Sequence, residues 1–334
     1  MMNIAPFPRI GSIRTLTLLL PGFTDLISSN VFVLGDGPLT LIDTGPKFPG
    51  SFAALEQQLH ALGFSWHDVE HILITHGHID HFGLVGMIRQ AAGRAIPCYI
   101  HVNDQWRLSR TNFESGMWGE ETDRFCVYAG IPEHTVEQMK RRSLFFKELG
   151  DPVDDVLAMY DGDIFYGPGF ELTLIHTPGH SPGSSCLYER QSQVLFSGDH
   201  LLKHITPNPF HELNRSHLSD PDYKSLRAYM QSLLKLEPLT VCAIFPAHGE
   251  YIPDLITLIE GYRVHHEQRS AAIRHILEAD KYSLYGLMRT VFPAIKESEV
   301  FLGVSEVFVH LEMLIEAGQA ALVEQGPPAC FHAS

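Results

Sequence analysis

Residues 76–81 read His-Gly-His-Ile-Asp-His, so four side chains able to bind a metal ion, His76, His78, Asp80 and His81, stand directly behind the apolar run Ile72-Leu73-Ile74-Thr75. Histidines two residues apart cannot share a helix face, where neighbours recur every three or four residues. The cluster therefore belongs to a loop at the end of a strand. From such a loop His76 and His78 can face one ion, while Asp80 and His81 turn to a second as the chain enters a helix beginning near Phe82. Neutral imidazole and carboxylate are the donors that Zn²⁺ and similar ions take. Asp80 alone would fit the cap of that helix. Burying all four groups without a ligand would leave unpaired polar atoms at a cost of about 1–3 kcal/mol each. A metal site satisfies them.

Later segments place the same residue types at the ends of apolar runs. His180 lies in Thr177-Pro178-Gly179-His180-Ser181-Pro182-Gly183-Ser184, Asp199 closes Val194-Leu195-Phe196-Ser197-Gly198-Asp199, and His248 sits in Pro246-Ala247-His248-Gly249. Taken singly, each fits ordinary turn chemistry, as does Asp43 in Leu41-Ile42-Asp43-Thr44-Gly45. In this order behind the first cluster, they resemble the metal motifs of the metallo-β-lactamase superfamily over roughly residues 15–260. The resemblance implies an αββα sandwich, two β-sheets face to face with helices outside and metals at one edge. It implies a ligand set as well: His76, His78 and His180 on one divalent ion, Asp80, His81 and His248 on the other, and Asp199 spanning the two. Zn²⁺ is the expected metal, with Fe and Mn accepting the same donors. A hydroxide bridging the ions would be the nucleophile, with Asp80 and Asp199 as the catalytic carboxylates. Asp43 would stand behind the ligands and fix a histidine tautomer.

Strand and helix signals alternate through the first hundred residues. Val31–Leu34 and Leu39–Ile42 flank Gly35-Asp36-Gly37-Pro38, a hairpin signal. A helix is expected over 51–62, a strand over 72–75, a helix over 82–92 and a strand over 98–101, with further strands over 170–175, 185–188 and 194–197. This is a layered α/β arrangement. Between about 103 and 160 the strand pattern gives way to helical, aromatic-rich sequence that starts and finishes near the metal motifs. A helical insertion capping the substrate pocket follows, with Trp106 and Trp118 as pocket aromatics. The other placement for this insertion is a flank or a dimer interface.

A catalytic domain over 1–260 is then followed by a C-terminal domain over 261–334, with helices expected at 261–279, 283–291 and 304–317 and a hairpin from Ala320 to Phe331. Helices plus hairpin make a small winged-helix-like α+β module, similar to the one carried by the β-lactamase-like protein 2 branch, some of whose members are endoribonucleases. The module holds Arg263, Arg269, Arg274, Lys281, Arg289 and Lys296 against nine Asp/Glu, which favours packing or homodimerisation over reading nucleic acid. His265 and His266 read as solvent-facing or packed residues rather than ligands.

With Lys+Arg 24 and Asp+Glu 39, the net charge of −15 also disfavours nucleic acid, whose non-specific binding draws on Lys and Arg. A small-molecule substrate is the expected partner. The five cysteines are odd in number and show no CxxC spacing, so they read as reduced thiols of a cytoplasmic protein. No run of apolar residues approaches a membrane span. The function expected is metal-dependent hydrolysis of a thioester or ester, as in glyoxalase-II-like relatives. The alternatives are a phosphodiesterase or endoribonuclease acting on single-stranded RNA and, more remotely, a non-catalytic metal-binding scaffold.

Overall fold

A computed structural model describes residues 7–8, 10–20, 28–115, 118–214, 217–218 and 220–334. Two sheets form the catalytic body, each with its strands side by side in chain order. The first holds β1 (Arg14–Leu19), β2 (Ser28–Leu34), β3 (Leu39–Ile42), β4 (Val69–Ile74), β5 (Cys98–His101) and β6 (Val156–Met159). Its pairing is antiparallel from β1 to β3 and parallel from β3 to β6. The second holds β7 (Ile164–Gly167), β8 (Phe170–His176), β9 (Ser185–Glu189), β10 (Val194–Gly198) and β11 (Ala243–Pro246), antiparallel except for the β10–β11 pair.

The two-residue period of a strand sorts these side chains into layers. On β2, Phe32 and Leu34 meet Leu172, Leu174, Phe196 and Phe245 between the sheets. Val31 and Val33 point the other way, toward Leu55 and Leu59 of α1 (Ser51–Ala61) and, beyond the single turn α2 (Ile79–Phe82), toward Val85 and Ile88 of α3 (Val85–Ala92). On the far side of the second sheet, Leu195 and Ile244 pack on Tyr229 and Leu233. The order is helix, sheet, sheet, helix.

Helix α4 (Arg110–Ser115), α5 (Glu120–Ala129) and α6 (Glu133–Lys147) form the insertion, and α7 (Ser225–Leu236) carries Tyr229 and Leu233. The C-terminal part has α8 (Leu255–Ala279), α9 (Leu284–Val291) and α10 (Val300–Glu316), with β14 (Cys330–Ala333) lying between β12 (Tyr282–Ser283) and β13 (Ala320–Glu324). Phe125, Cys126 and Ala129 of α5, Ile131, and Met139 of α6 join Ile273, Leu287, Val304 and Leu311 in one hydrophobic cluster. The insertion and the C-terminal helices thus share a core. No helix among the described residues is long and apolar enough to cross a membrane.

The structure departs from the sequence expectation at several points, two of them close to the motif loops and the insertion. The helix predicted from Phe82 is split into α2 and α3 around Gly83, where a Cβ would lie 2.2 Å from the Leu149 carbonyl oxygen and 2.9 Å from the Lys47 nitrogen. Leu84 N–H donates to Gly45 O at 3.2 Å, so a tertiary contact interrupts the helical ladder. The insertion also ends on a strand, β6, only four residues long and at the sheet edge, where Leu157 is 47% exposed. Such a segment carries too little alternation to be read.

Candidate metal centre

Strands of both sheets end at one edge, and the donors stand just past those ends. Asp43 follows β3, the 76–81 run follows β4, His180 follows β8, Asp199 follows β10 and His248 follows β11. Asn30 ties the sheets together there, its side-chain amide donating to the carbonyls of Pro246 at 2.9 Å and Gly249 at 3.0 Å.

All seven predicted ligands converge. His78 Nδ1 lies 3.0 Å from His76 Nε2 and 3.0 Å from His180 Nε2. His81 Nε2 lies 3.7 Å from Asp80 Oδ1 and 3.6 Å from Asp199 Oδ1, and His248 Nε2 lies 3.5 Å from Asp80 Oδ2 and 3.2 Å from Asp199 Oδ1. Asp199 Oδ2 reaches back to His180 Nε2 at 3.5 Å, so its two oxygens touch both groups.

The outer nitrogens fix the tautomers. His248 Nδ1–H donates to Ser28 O at 2.7 Å, His180 Nδ1–H to Asn208 O at 3.0 Å and His81 Nδ1–H to Asp43 Oδ2 at 2.9 Å. Thr75 gives its amide hydrogen to Asp43 Oδ1 at 2.8 Å and its hydroxyl hydrogen to Asp43 Oδ2 at 2.8 Å, leaving a hydroxyl lone pair toward His76 Nδ1 at 3.3 Å. Each of these rings, when neutral, therefore turns an Nε2 lone pair inward. His81 Nε2, His248 Nε2 and Asp199 Oδ1 are buried there without a hydrogen-bond partner. Converging lone pairs, carboxylates and unpartnered atoms fit divalent cations.

The electrostatics divide the centre in two. Burial, with the neighbouring imidazoles, holds His76 well below its ordinary value and His78 down at about 3, so the three-histidine half stays neutral and able to ligate. In the other half burial opposes charge but loses. Asp199 and Asp80 lift His248 to about 10, and Asp80 itself falls to about 2 beside His81 and His248. That half demands positive charge.

A second buried group, not evident from the sequence, sets the loops. Asp104 accepts the Gly77 amide at 2.7 Å and the Ser181 hydroxyl at 2.6 Å on Oδ2, and the Gly183 amide at 2.8 Å on Oδ1. It therefore joins the two motif loops directly. Arg107 Nε lies 3.3 Å from Asp104, and its guanidinium also pairs with Glu212. A Cβ on Gly77 would fall 2.7 Å from Arg107 Cδ, so only glycine lets this side chain pass. Asp104 follows the strand end at His101 beside Asn103, an ordinary polar pair that does not mark its role in the sequence.

The two predicted pocket aromatics are placed differently. Trp106 belongs to the same turn as Asp104 and Arg107, with its ring stacked on His217 at 4.7 Å. Trp118 packs against the C-terminal cluster and donates from its indole to Asp123 at 2.8 Å. Phe210, which the sequence did not single out, sets its ring 5.5 Å from His78 and 5.3 Å from His180.

The family model described as Metallo-beta-lactamase superfamily matches residues 24–248. The chain is 27% identical over 292 residues to the probable metallo-hydrolase YqjP of Bacillus subtilis, covering 87% of this chain and 88% of that one. It is 26% identical over 284 residues to lactamase-like protein adaB of Aspergillus niger, covering 84% and 69%. The crystal structure of metallo-beta-lactamase family protein TTHA1429 from Thermus thermophilus matches with TM-score 0.81 at 26% identity, over 97% of this chain and 99% of that chain. A beta-lactamase domain protein from Burkholderia ambifaria shares the fold, with TM-score 0.80 at 21% identity over 98% and 94%. Sequence profile, fold and the order of the strand-end donors agree, and the chain belongs to the metallo-β-lactamase superfamily as a metallo-hydrolase.

Proposed function

We propose that the chain is a dinuclear hydrolase acting on a small acyl thioester or ester. The observation that carries the dinuclear reading is the pair of donor groups joined through the two oxygens of Asp199. His76, His78 and His180 would hold one ion, and Asp80, His81 and His248 the other. Divalent cations there, Zn²⁺ by donor type, would lower the pKa of water toward about 7 and polarise a scissile carbonyl.

The chain's own groups orient the reactants. Water, oriented by a hydrogen bond to the Asp80 carboxylate, adds to the acyl carbon, and the proton it loses passes to the departing thiolate or alkoxide as the acyl–S or acyl–O bond breaks. Phe210 supplies apolar surface beside the polar centre, and Trp106, in the turn that carries Asp104 and Arg107, would extend it, the combination that lets small-molecule sites join affinity to orientation.

Charge placement supports an acyl substrate over RNA. Arg263, Arg269, Arg274, Lys281, Arg289 and Lys296, the basic residues of the C-terminal segment, each stand beside a carboxylate: Glu237, Glu306, Glu278, Glu324, Glu297 and Glu299 respectively. With a carboxylate beside every one of these cations, the segment presents no unbroken basic surface of the kind that nucleic acid draws on. The test is a parallel turnover screen of acyl thioesters, esters, phosphodiesters and single-stranded RNA with metal-replete protein. Thioester or ester turnover is expected to dominate; selective RNA cleavage would replace this reading.

A further inference from the structure

Away from the sheet edge, α8 and α10 bring together His265, His266, Glu306 and His310. His266 is 4% exposed and His310 is fully buried, so His266 is a packed residue, while the His265 side chain keeps 37% of its surface exposed. One donor atom from each of His265, His266 and Glu306 lies within 4.8 Å of the others. His310 Nε2 adds a fourth, 3.2 Å from His266 Nδ1 and 3.4 Å from Glu306 Oε1, and His265 Nε2 stands 3.9 Å from the same oxygen. Around a tetrahedral ion with bonds of about 2.0–2.1 Å, donors are about 3.3–3.4 Å apart. The His266–His310 and His310–Glu306 separations match, and the His265–Glu306 separation is about half an ångström longer.

The surroundings suit an ion. His310 Nδ1 lies 2.9 Å from Ser270 Oγ, a hydroxyl that accepts its hydrogen and so turns the Nε2 lone pair toward Glu306. His265 lines a cavity of about 450 Å³ with Lys203, Thr206 and Tyr262, and His266 lines another of about 330 Å³ with Ser270 and Met313. Solvent can therefore approach from both sides. The competitor for the carboxylate is Arg269, whose Nε lies 3.7 Å from Glu306 Oε1 while its guanidinium covers the Phe292 ring at 4.4 Å. Between this cluster and the sheet-edge centre stands Tyr229, its ring 5.6 Å from His266 and its hydroxyl donating to His200 O at 2.9 Å.

We propose that His265, His266, Glu306 and His310 form a separate site for one transition-metal ion of the Zn²⁺ class, fastening α8 to α10. It goes beyond the hydrolytic reading and does not depend on it. The full-length protein is stripped with a chelator, dialysed against a series of buffered Zn²⁺ concentrations, and compared by metal analysis with His265→Ala and Glu306→Gln. Wild type should retain one more ion per chain than Glu306→Gln at equal free Zn²⁺, and His265→Ala should take that ion at least about tenfold more weakly. The readout is a difference, so it holds whether the sheet edge takes one ion or two, and whatever it hydrolyses. His265 has a side chain 37% exposed, so its removal keeps the fold even where loss of Glu306 disturbs it; circular dichroism checks both. Zinc uptake by folded His265→Ala indistinguishable from wild type overturns the proposal.

Discussion

Asp43 serves three hydrogens with two oxygens: the Thr75 amide, the Thr75 hydroxyl and His81 Nδ1–H. It does so at φ 58°, a backbone conformation that aspartate tolerates because its short side chain bonds nearby. Asp43→Asn replaces one acceptor with a donor and so misdirects His81 and, through Thr75, His76. Metal affinity or activity should fall about 10–100-fold with the circular dichroism spectrum unchanged; zinc-buffered titration at wild-type affinity would remove Asp43 from this role. Asp199 touches both donor groups, so Asp199→Ala should reduce turnover by more than that range while the protein stays folded. Wild-type rates in that variant would take Asp199 out of the centre. These residues were legible because each follows an apolar run in a fixed order around the 76–81 cluster, although each segment alone fits an ordinary turn. Asp104 was not, because its partners Gly77 and Gly183 lie 27 and 79 positions away and nothing near it in sequence marks the contact. Arg107 and Glu212, 105 positions apart, were hidden for the same reason.

At the scale of elements, readability followed local signal rather than length, since the four-residue strands β3 and β5 stand where the sequence puts them. The β2–β3 hairpin stands where its pattern puts it, and on α10 Val307, Leu311 and Leu314 are buried as the apolar face requires while Ile315, on the same pattern, is 38% exposed. The four-residue strands β6, β7 and β11 and the helix α7 were not anticipated, since their identity rests on the neighbours they pair with. The insertion divides likewise. Its first turn, Val102–Leu108, is fixed to both motif loops through Asp104, whereas α5 and α6 are fixed to the C-terminal helices. Trp106→Ala should therefore lower kcat/KM for the preferred ester or thioester with metal content unchanged. Trp118→Ala, which removes a half-buried ring from the shared cluster, should cost about 1–3 kcal/mol and lower Tm by a few degrees. Steady-state kinetics and thermal unfolding on both variants separate the two roles; a Trp106→Ala enzyme with unaltered substrate ranking would make the first turn purely structural.

For the whole molecule, the boundary near residue 260 is crossed by one continuous helix. Leu255, Ile259 and Tyr262 at the start of α8 pack with α7, while Ile273 and Leu277 near its end pack with α5, α9 and α10. Removing residues 261–334 would uncover Phe125, Cys126, Ala129, Ile131 and Met139 together. At about 1.5–3 kcal/mol for each large apolar side chain, the loss rivals the roughly 5–15 kcal/mol that holds a typical domain folded. The same cut deletes Ser305, whose hydroxyl accepts the His211 amide at 2.7 Å, and Leu302, whose carbonyl accepts the Asn208 side chain at 3.0 Å. Those bonds position the segment carrying Phe210 against His78 and His180. The truncated chain is therefore expected to be insoluble or strongly destabilised, and any soluble fraction to bind metal more weakly, as read by sedimentation and zinc titration. A nucleic-acid module would behave otherwise: its loss would leave a stable catalytic body and abolish an RNA affinity that in the full chain falls steeply with salt. Paired cations and a shared core argue for the first outcome, and a soluble, zinc-replete 1–260 fragment that has lost only RNA binding would reverse it.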